Sequence, residues 1–185
     1  TEKSGRALMV GHQYLYNDHI RHLKKKLDDG TLGAVKYLFA EHLYFSPIRS
    51  DIGCFQESAI HEIAIIDYLF SPGEISDVRG GTADFSGTGR DDFASVSLRF
   101  TSGLTAAITV SWFAPEKIRR MTIAGDKGMA VFDERREEKL KFFMHPYPSA
   151  PAAAGTDSSS HFLTFSEDDI ITPAISAAEP LRNQL

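Results

Sequence analysis

The sequence predicts an α+β domain: an open, largely antiparallel sheet with its helices packed on one face. Three observations predict it. An amphipathic helical pattern follows Asn17, a second helical stretch runs from Asp51 to Phe70, and from Ile75 onward the chain becomes a series of alternating strand patterns with short connections. At 185 residues the chain can bury one good core and is too short for two full α/β domains. A single domain over residues 1–185 is expected.

Residues Ala7 to Tyr16, ALMVGHQYLY, set Leu8, Val10, His12, Tyr14 and Tyr16 against Met9, Gly11, Gln13 and Leu15, an alternation that predicts a strand. Asn17 or Asp18 then caps a helix carrying Ile20, Leu23 and Leu27 at helical spacing, closed by Gly30 and Gly33. The basic residues Arg21, Lys24, Lys25 and Lys26 form its solvated side. A second strand spans Ala34 to Phe45, and Pro47 to Cys54 reads as a loop.

The stretch Asp51 to Phe70, DIGCFQESAIHEIAIIDYLF, is the central helix. At about 100° per residue, Ala59, Ile63, Ile66 and Phe70 share a core face and Glu57, His61, Ala64 and Tyr68 the opposite one. Glu57 and His61, four residues apart, are neighbours over one turn, so the carboxylate can orient the imidazole for acid/base work. A packed histidine satisfied by a glutamate fits the same spacing. Ser71-Pro72-Gly73 ends the helix.

Strands are then expected at Ile75–Phe85, Asp92–Thr101 and Leu104–Phe113, with Ser102-Gly103 as a hairpin turn. On the last of these, Thr105, Ala107, Thr109 and Ser111 make a flat face that is either solvated or stacked on a second sheet in a dimer. Arg119–Ala124, Met129–Asp133 and Lys139–Met144 continue the meander, with Gly125 to Gly128 as a tight turn. Met144 to Ser160 is rich in Pro, Ala and Ser with little to bury, so an excursion is expected there. A short strand at His161–Phe165 and a helix from near Ser176 complete the chain.

Several function classes lack their residues. The net charge of -5 argues against a nucleic-acid partner. No run is long and apolar enough to predict a membrane span, and the single cysteine, Cys54, cannot form an internal disulfide. A cytoplasmic protein is expected. No Gly-x-Gly-x-x-Gly turn, Walker loop or Gly-x-Ser-x-Gly elbow occurs, and Gly80-Gly81 and Gly87-Thr88-Gly89 read as turn glycines between strands. The scattered histidines predict no metal site. The chain starts at Thr1 without methionine and stops at Leu185 inside a helical-looking EPLRNQL, so both ends are expected to be cut.

Four stretches together resemble one family. They are Val10 to Val35, Arg49 to Leu69, Ser111 to Glu134 and Glu179 to Leu185, and in that order they are similar to the C-terminal domain of the Gfo/Idh/MocA oxidoreductases. The wording looks most like the branch acting on nucleotide sugars. The resemblance implies a two-domain enzyme whose N-terminal Rossmann domain, absent from this chain, binds NAD or NADP and supplies a lysine. This chain would be the substrate-binding and dimerisation half, forming a homodimer or homotetramer through the open sheet face. His61 would be the acid/base acting on a sugar hydroxyl. An imidazole with an ordinary pKa of about 6.5 suits that task, and its neutral form is favoured near a helix start.

The family usually has aspartate four residues before this histidine, whereas Glu57 lies one methylene further out. Arg49 and Asp51 sit in the loop where the family contacts substrate, and Arg49 can pair bidentately with a carboxylate or phosphate; a loop salt bridge is the other reading. Tyr16 and Asn17, at a strand end, can hydrogen-bond sugar hydroxyls, although Asn17 also reads as a plain cap. Lys117 and Arg120 can meet acidic groups or simply be surface charge. The competing function is a stand-alone, non-catalytic carbohydrate-binding or dimerisation module in which His61 and Glu57 are structural.

Overall fold

The computed structural model describes residues 4–144 and 169–184. Its framework is an eight-stranded sheet in the order β2-β3-β4-β1-β5-β6-β7-β8. The strands are β1 (Val35–Phe45), β2 (Ile75–Ala83), β3 (Phe93–Phe100), β4 (Thr105–Ser111), β5 (Phe113–Gly125), β6 (Met129–Asp133), β7 (Leu140–Phe143) and β8 (Ile170–Ile171). β1 lies at the centre, parallel to β4 and antiparallel to β5, and every other neighbouring pair is antiparallel. The open, largely antiparallel sheet is therefore as expected.

Alternation decides which face meets the helices. Leu38 and Ala40 of β1, Ala106, Ile108 and Val110 of β4, and Met121 and Ile123 of β5 are all buried. Against them pack α1 (Asp18–Asp28), through Ile20 and Leu23, and α2 (Ile60–Phe70), through Ile65, Ile66 and Leu69. The opposite face keeps Tyr37 and Phe39 of β1 exposed beside Thr105, Ala107 and Thr109. Asn17 caps α1 as expected: its Oδ1 accepts from the backbone N–H of His19 at 2.9 Å and of Ile20 at 3.4 Å. Ser71, in the left-handed region at φ 42°, ends α2.

Four expectations are corrected. Ala7 to Tyr16 is not a strand: Gln13–Tyr16 is a 3-10 turn, and Leu8, Met9 and Val10 are 81%, 63% and 73% exposed. Its alternation had no ladder to join, and burial takes Tyr14 alone from Gly11 to Tyr16. The central helix is not uniform, because a π turn at Phe55–Ala59 precedes α2. That turn offsets the apolar stripe, so Glu62, Ile65, Ile66 and Leu69 are buried while Ile63 and Phe70 are only half-buried. Gly80 and Gly81 lie inside β2 rather than between strands. The final helix, α3, starts at Pro180 (Pro180–Gln184), after the bridge at β8. The excursion expected after Met144 and the strand at His161–Phe165 fall outside the described residues.

Gly80 sits at φ 150°, and a Cβ there would lie 2.2 Å from the Ser95 carbonyl oxygen, whereas one on Gly81 would meet nothing within 4 Å. Gly80→Ala is therefore expected to destabilise the domain by about 1–3 kcal/mol in urea titration, and Gly81→Ala by clearly less.

Candidate functional site

β1 carries the inward phase of Leu38 and Ala40 on to two polar residues, His42 and Tyr44, and each anchors a cluster beneath the segment that carries α2. At Tyr44, the hydroxyl donates to Glu57 Oε2 at 2.9 Å and accepts from Trp112 Nε1 at 3.1 Å, while Ser58 Oγ donates to the same carboxylate oxygen at 2.5 Å. Burial pushes the Glu57 carboxyl up, but the hydrogen bonds from Ser58 and Tyr44 outweigh it and hold the pKa below its ordinary value. Glu57 is thus committed to Tyr44 and Ser58, and no hydrogen bond joins it to His61.

His42 stands between two charges. Its Nδ1 lies 3.5 Å from Glu62 Oε1 and 2.7 Å from Arg119 Nη2, which also contacts Nε2. Arg119 Nη1 reaches Glu134 Oε2 at 3.6 Å, and the guanidinium lies over the Tyr14 ring at 4.5 Å. Tyr14 Oη donates to Glu134 at 3.2 Å. Glu62 and His42 are 3% and 4% exposed. Burial lowers the Arg119 pKa to about 10, with Glu134 opposing the shift, so the group stays cationic at neutral pH.

His61, on the first turn of α2, faces this second cluster. Its ring meets Tyr14 edge-on at 5.3 Å and lies 6.2 Å from the His42 ring. Its Nδ1 is buried without a hydrogen-bond partner among the described residues. Burial is the main cause that lowers its pKa; Glu62 and Glu57 pull up, His42 and His12 down. The helix-start argument gives way here, since the π turn runs straight into α2 and the free amides lie well before His61. An imidazole held neutral, with a ring nitrogen that has no partner among the described residues, is equipped to take a proton.

The remaining predicted residues do not converge on His61. Arg49 and Asp51 pair with each other in an exposed loop, Nε to Oδ1 at 2.9 Å and Nη2 to Oδ2 at 2.5 Å, and this partner draws the Asp51 pKa to about 2. The fork of Arg49 is already used. Tyr16 ends the 3-10 turn rather than a strand, with Arg21 over its ring at 5.4 Å. Asn17, 8% exposed, spends its side chain on the cap. Lys117 is exposed, and Arg120 lines a recess on the open sheet face with Asp133 and Lys141. Sequence reasoning passed over His42, Arg119, Glu62, Glu134 and Tyr14. The available signal was the phase of His42, which follows Leu38 and Ala40 on the inward face of β1; Arg119, its ladder partner, lies in a charged run and gave none.

The glycine turn at Gly87 and Gly89 gives its amides to Asp84, which accepts from Thr88 N at 3.1 Å and Gly89 N at 2.7 Å. Among the described residues no helix is long and apolar enough to cross a membrane.

Comparison with known families matches residues 20–131 to the GFO/IDH/MocA C-terminal domain. The chain belongs to that family. No curated protein sequence matches it. Among solved structures, the GFO/IDH/MocA domain is similar to UDP-N-acetylglucosamine 3-dehydrogenase GnnA from Acidithiobacillus ferrooxidans, with 26% identity over 77% of this chain and 45% of that one, TM-score 0.63. The fold is shared with the WlbA dehydrogenase from Bordetella pertussis, solved with NADH and UDP-GlcNAcA, at 22% identity over 71% and 42% of the chains, TM-score 0.63. It is shared too with an aldose-aldose oxidoreductase from Caulobacter crescentus, complexed with glycerol, at 19% identity over 100% and 53%, TM-score 0.73. The chain thus spans about half, or less, of each of these proteins.

His61, His19 and His22 all have pKa values lowered mainly by burial. The unfolded chain therefore binds more protons just below pH of about 6.5, and stability is lost as pH falls through the folded values. Urea midpoints are expected to drop on acidification from about pH 7 to 5, and less steeply in His61→Gln.

Proposed function

We propose that this chain is the substrate-side half of an NAD(P)-dependent sugar or nucleotide-sugar dehydrogenase. The observation that carries it is His61, kept neutral by burial with Nδ1 unpartnered, in a chain of the GFO/IDH/MocA family. The relatives' bound molecules support the substrate class, since the Bordetella protein holds NADH with UDP-GlcNAcA. His61 takes the proton from a sugar hydroxyl as the carbinol carbon is oxidised, and returns it in the reverse direction. The nicotinamide supplies the hydride acceptor. The Thr88 and Gly89 amides of the glycine turn are taken by Asp84, and the nicotinamide's phosphates bind mainly in a Rossmann domain outside this sequence.

Glu57 acts at one remove, by fixing the π turn through Tyr44 and Ser58. Arg49, Asp51, Tyr16, Asn17 and Lys117 remain candidates for contacts to the sugar or its diphosphate; for Arg49 this requires the Asp51 pair to open. The protein works in the cytoplasm as a homodimer or homotetramer, with Tyr37 and Phe39, 43% and 38% exposed, at the centre of the interface on the open sheet face.

In the full-length protein assayed with NAD or NADP and UDP-GlcNAcA, His61→Asn is expected to lower turnover by about 10²–10⁴-fold. The melting temperature should move by no more than about 4 °C, equivalent to roughly 1 kcal/mol. Unchanged turnover would return His61 to a structural role and favour the stand-alone binding module. Phe39→Asp is expected to convert the oligomer to monomer in sedimentation velocity; an unaltered oligomer would move the interface elsewhere.

A further inference from the structure

Three ionisable side chains beneath α2 have no part in the acid/base reading of His61, yet they are buried together: Glu62, His42 and Arg119. A carboxylate at neutral pH only accepts hydrogen bonds, and a guanidinium only donates them. The imidazole between them must therefore donate to one and accept from the other. Nδ1 reaches Glu62 Oε1 at 3.5 Å, and Arg119 Nη2 lies against both ring nitrogens with the shorter contact at Nε2, so an Nδ1–H aimed at Glu62 leaves Nε2 to accept from Arg119. A second proton would leave Arg119 facing a cation with no acceptor.

The contacts also close on themselves. From His42 one arm runs to Glu62, the residue beside His61 on α2; the other runs through Arg119 and Glu134 to the hydroxyl of Tyr14, whose ring edge meets His61. Both sides of the His61 ring, the helix that carries it and the aromatic wall that faces it, are tied to the same imidazole. The buried Oε2 of Glu62 and Nε of Arg119 have no partners among the described residues. The pair is thus held by few contacts, and His42 supplies the connecting one.

We propose that His42 is a neutral Nδ1–H imidazole bridging Glu62 and Arg119, and that this bridge is the positioning residue for His61. The proposal rests on the reading of His61 as the acid/base. The groups that face His61 are His12 ahead of the 3-10 turn, Tyr14 on it, His42 on β1, and Glu57 and Glu62 on its own helical segment. Of these, Glu62 and Tyr14 are the two that the bridge holds in place.

The first test uses this chain with ¹⁵N-labelled histidine. Two-dimensional NMR at about pH 7 is expected to show His42 as the Nδ1–H tautomer. An Nε2–H tautomer or a doubly protonated His42 would overturn the bridge. Ring-to-ring Overhauser contacts between Tyr14 and His61 should be lost in His42→Leu and kept in His42→Gln, whose amide retains one donor and one acceptor. Glu62→Gln serves as the second variant if His42→Leu fails to fold, and it should also loosen the Tyr14–His61 contact. Retention of that contact in the folded variants would overturn the positioning role.

The second test uses the full-length enzyme. His42→Leu is expected to lower kcat by at least about tenfold with KM within about twofold, and His42→Gln to recover most of it. Wild-type kcat in His42→Leu, beside a collapsed kcat in His61→Asn, would overturn the positioning role and leave the dehydrogenase reading intact. Wild-type kcat in His61→Asn would overturn both.

Discussion

The burial of Glu62 under α2 is the constraint on which the rest of the site depends. A lone carboxylate at that depth would cost several kcal/mol in desolvation, and it is tolerable only because His42 and Arg119 lie within reach. Those two residues are opposite each other across the β1–β5 ladder. A one-residue slip of that ladder would send one of them to the open face and leave the other facing the helices. The register of the central strand pair, the rotation of α2 and the location of His61 are therefore a single condition, met or missed together.

Tyr44 provides the complementary tie. Two positions along from His42, and stacked against it at 5.3 Å, it reaches into the π turn and holds Glu57 with help from Ser58 and Trp112. The two inward polar residues of β1 thus secure successive turns of the segment carrying His61, one before the α-helical stretch and one within it. Glu57 would have been the obvious partner for His61 on an ideal helix. Instead it fastens the irregular turn ahead of it, and the imidazole keeps a nitrogen with no partner among the described residues.

The fold was largely legible because its signals are periodic and strong: alternation marked β1 through β7 to within a few residues, except at β5, whose first half was missed, and Asn17 marked the start of α1. Ala7 to Tyr16 misled for a physical reason. Alternation predicts a strand only where a neighbouring strand offers hydrogen bonds, and nothing in the local sequence reports whether one does. The π turn was equally invisible, since one residue's excess in a helical segment leaves composition unchanged while moving the stripe. His61 was legible through its resemblance and its helical setting. His42 and Arg119 were not, because their partnership joins β1 to β5 across the sheet, and Arg119, within Glu116-Lys117-Ile118-Arg119-Arg120, reads as surface charge.

β1 has no neighbour close in sequence. Its parallel partner β4 and its antiparallel partner β5 both arrive after α2 and the β2–β3 hairpin, with Leu38 flanked by Ala106 on one side and Ile123 on the other. The hairpins β2–β3, β3–β4 and β5–β6 can zip from their turns, but the central strand must wait for two distant segments to come together around it. The polar ladder position occupied by His42 and Arg119 is then among the last to be sealed from water, and assembly of the His61 environment coincides with the slow, long-range closure of the domain rather than with the formation of its helix.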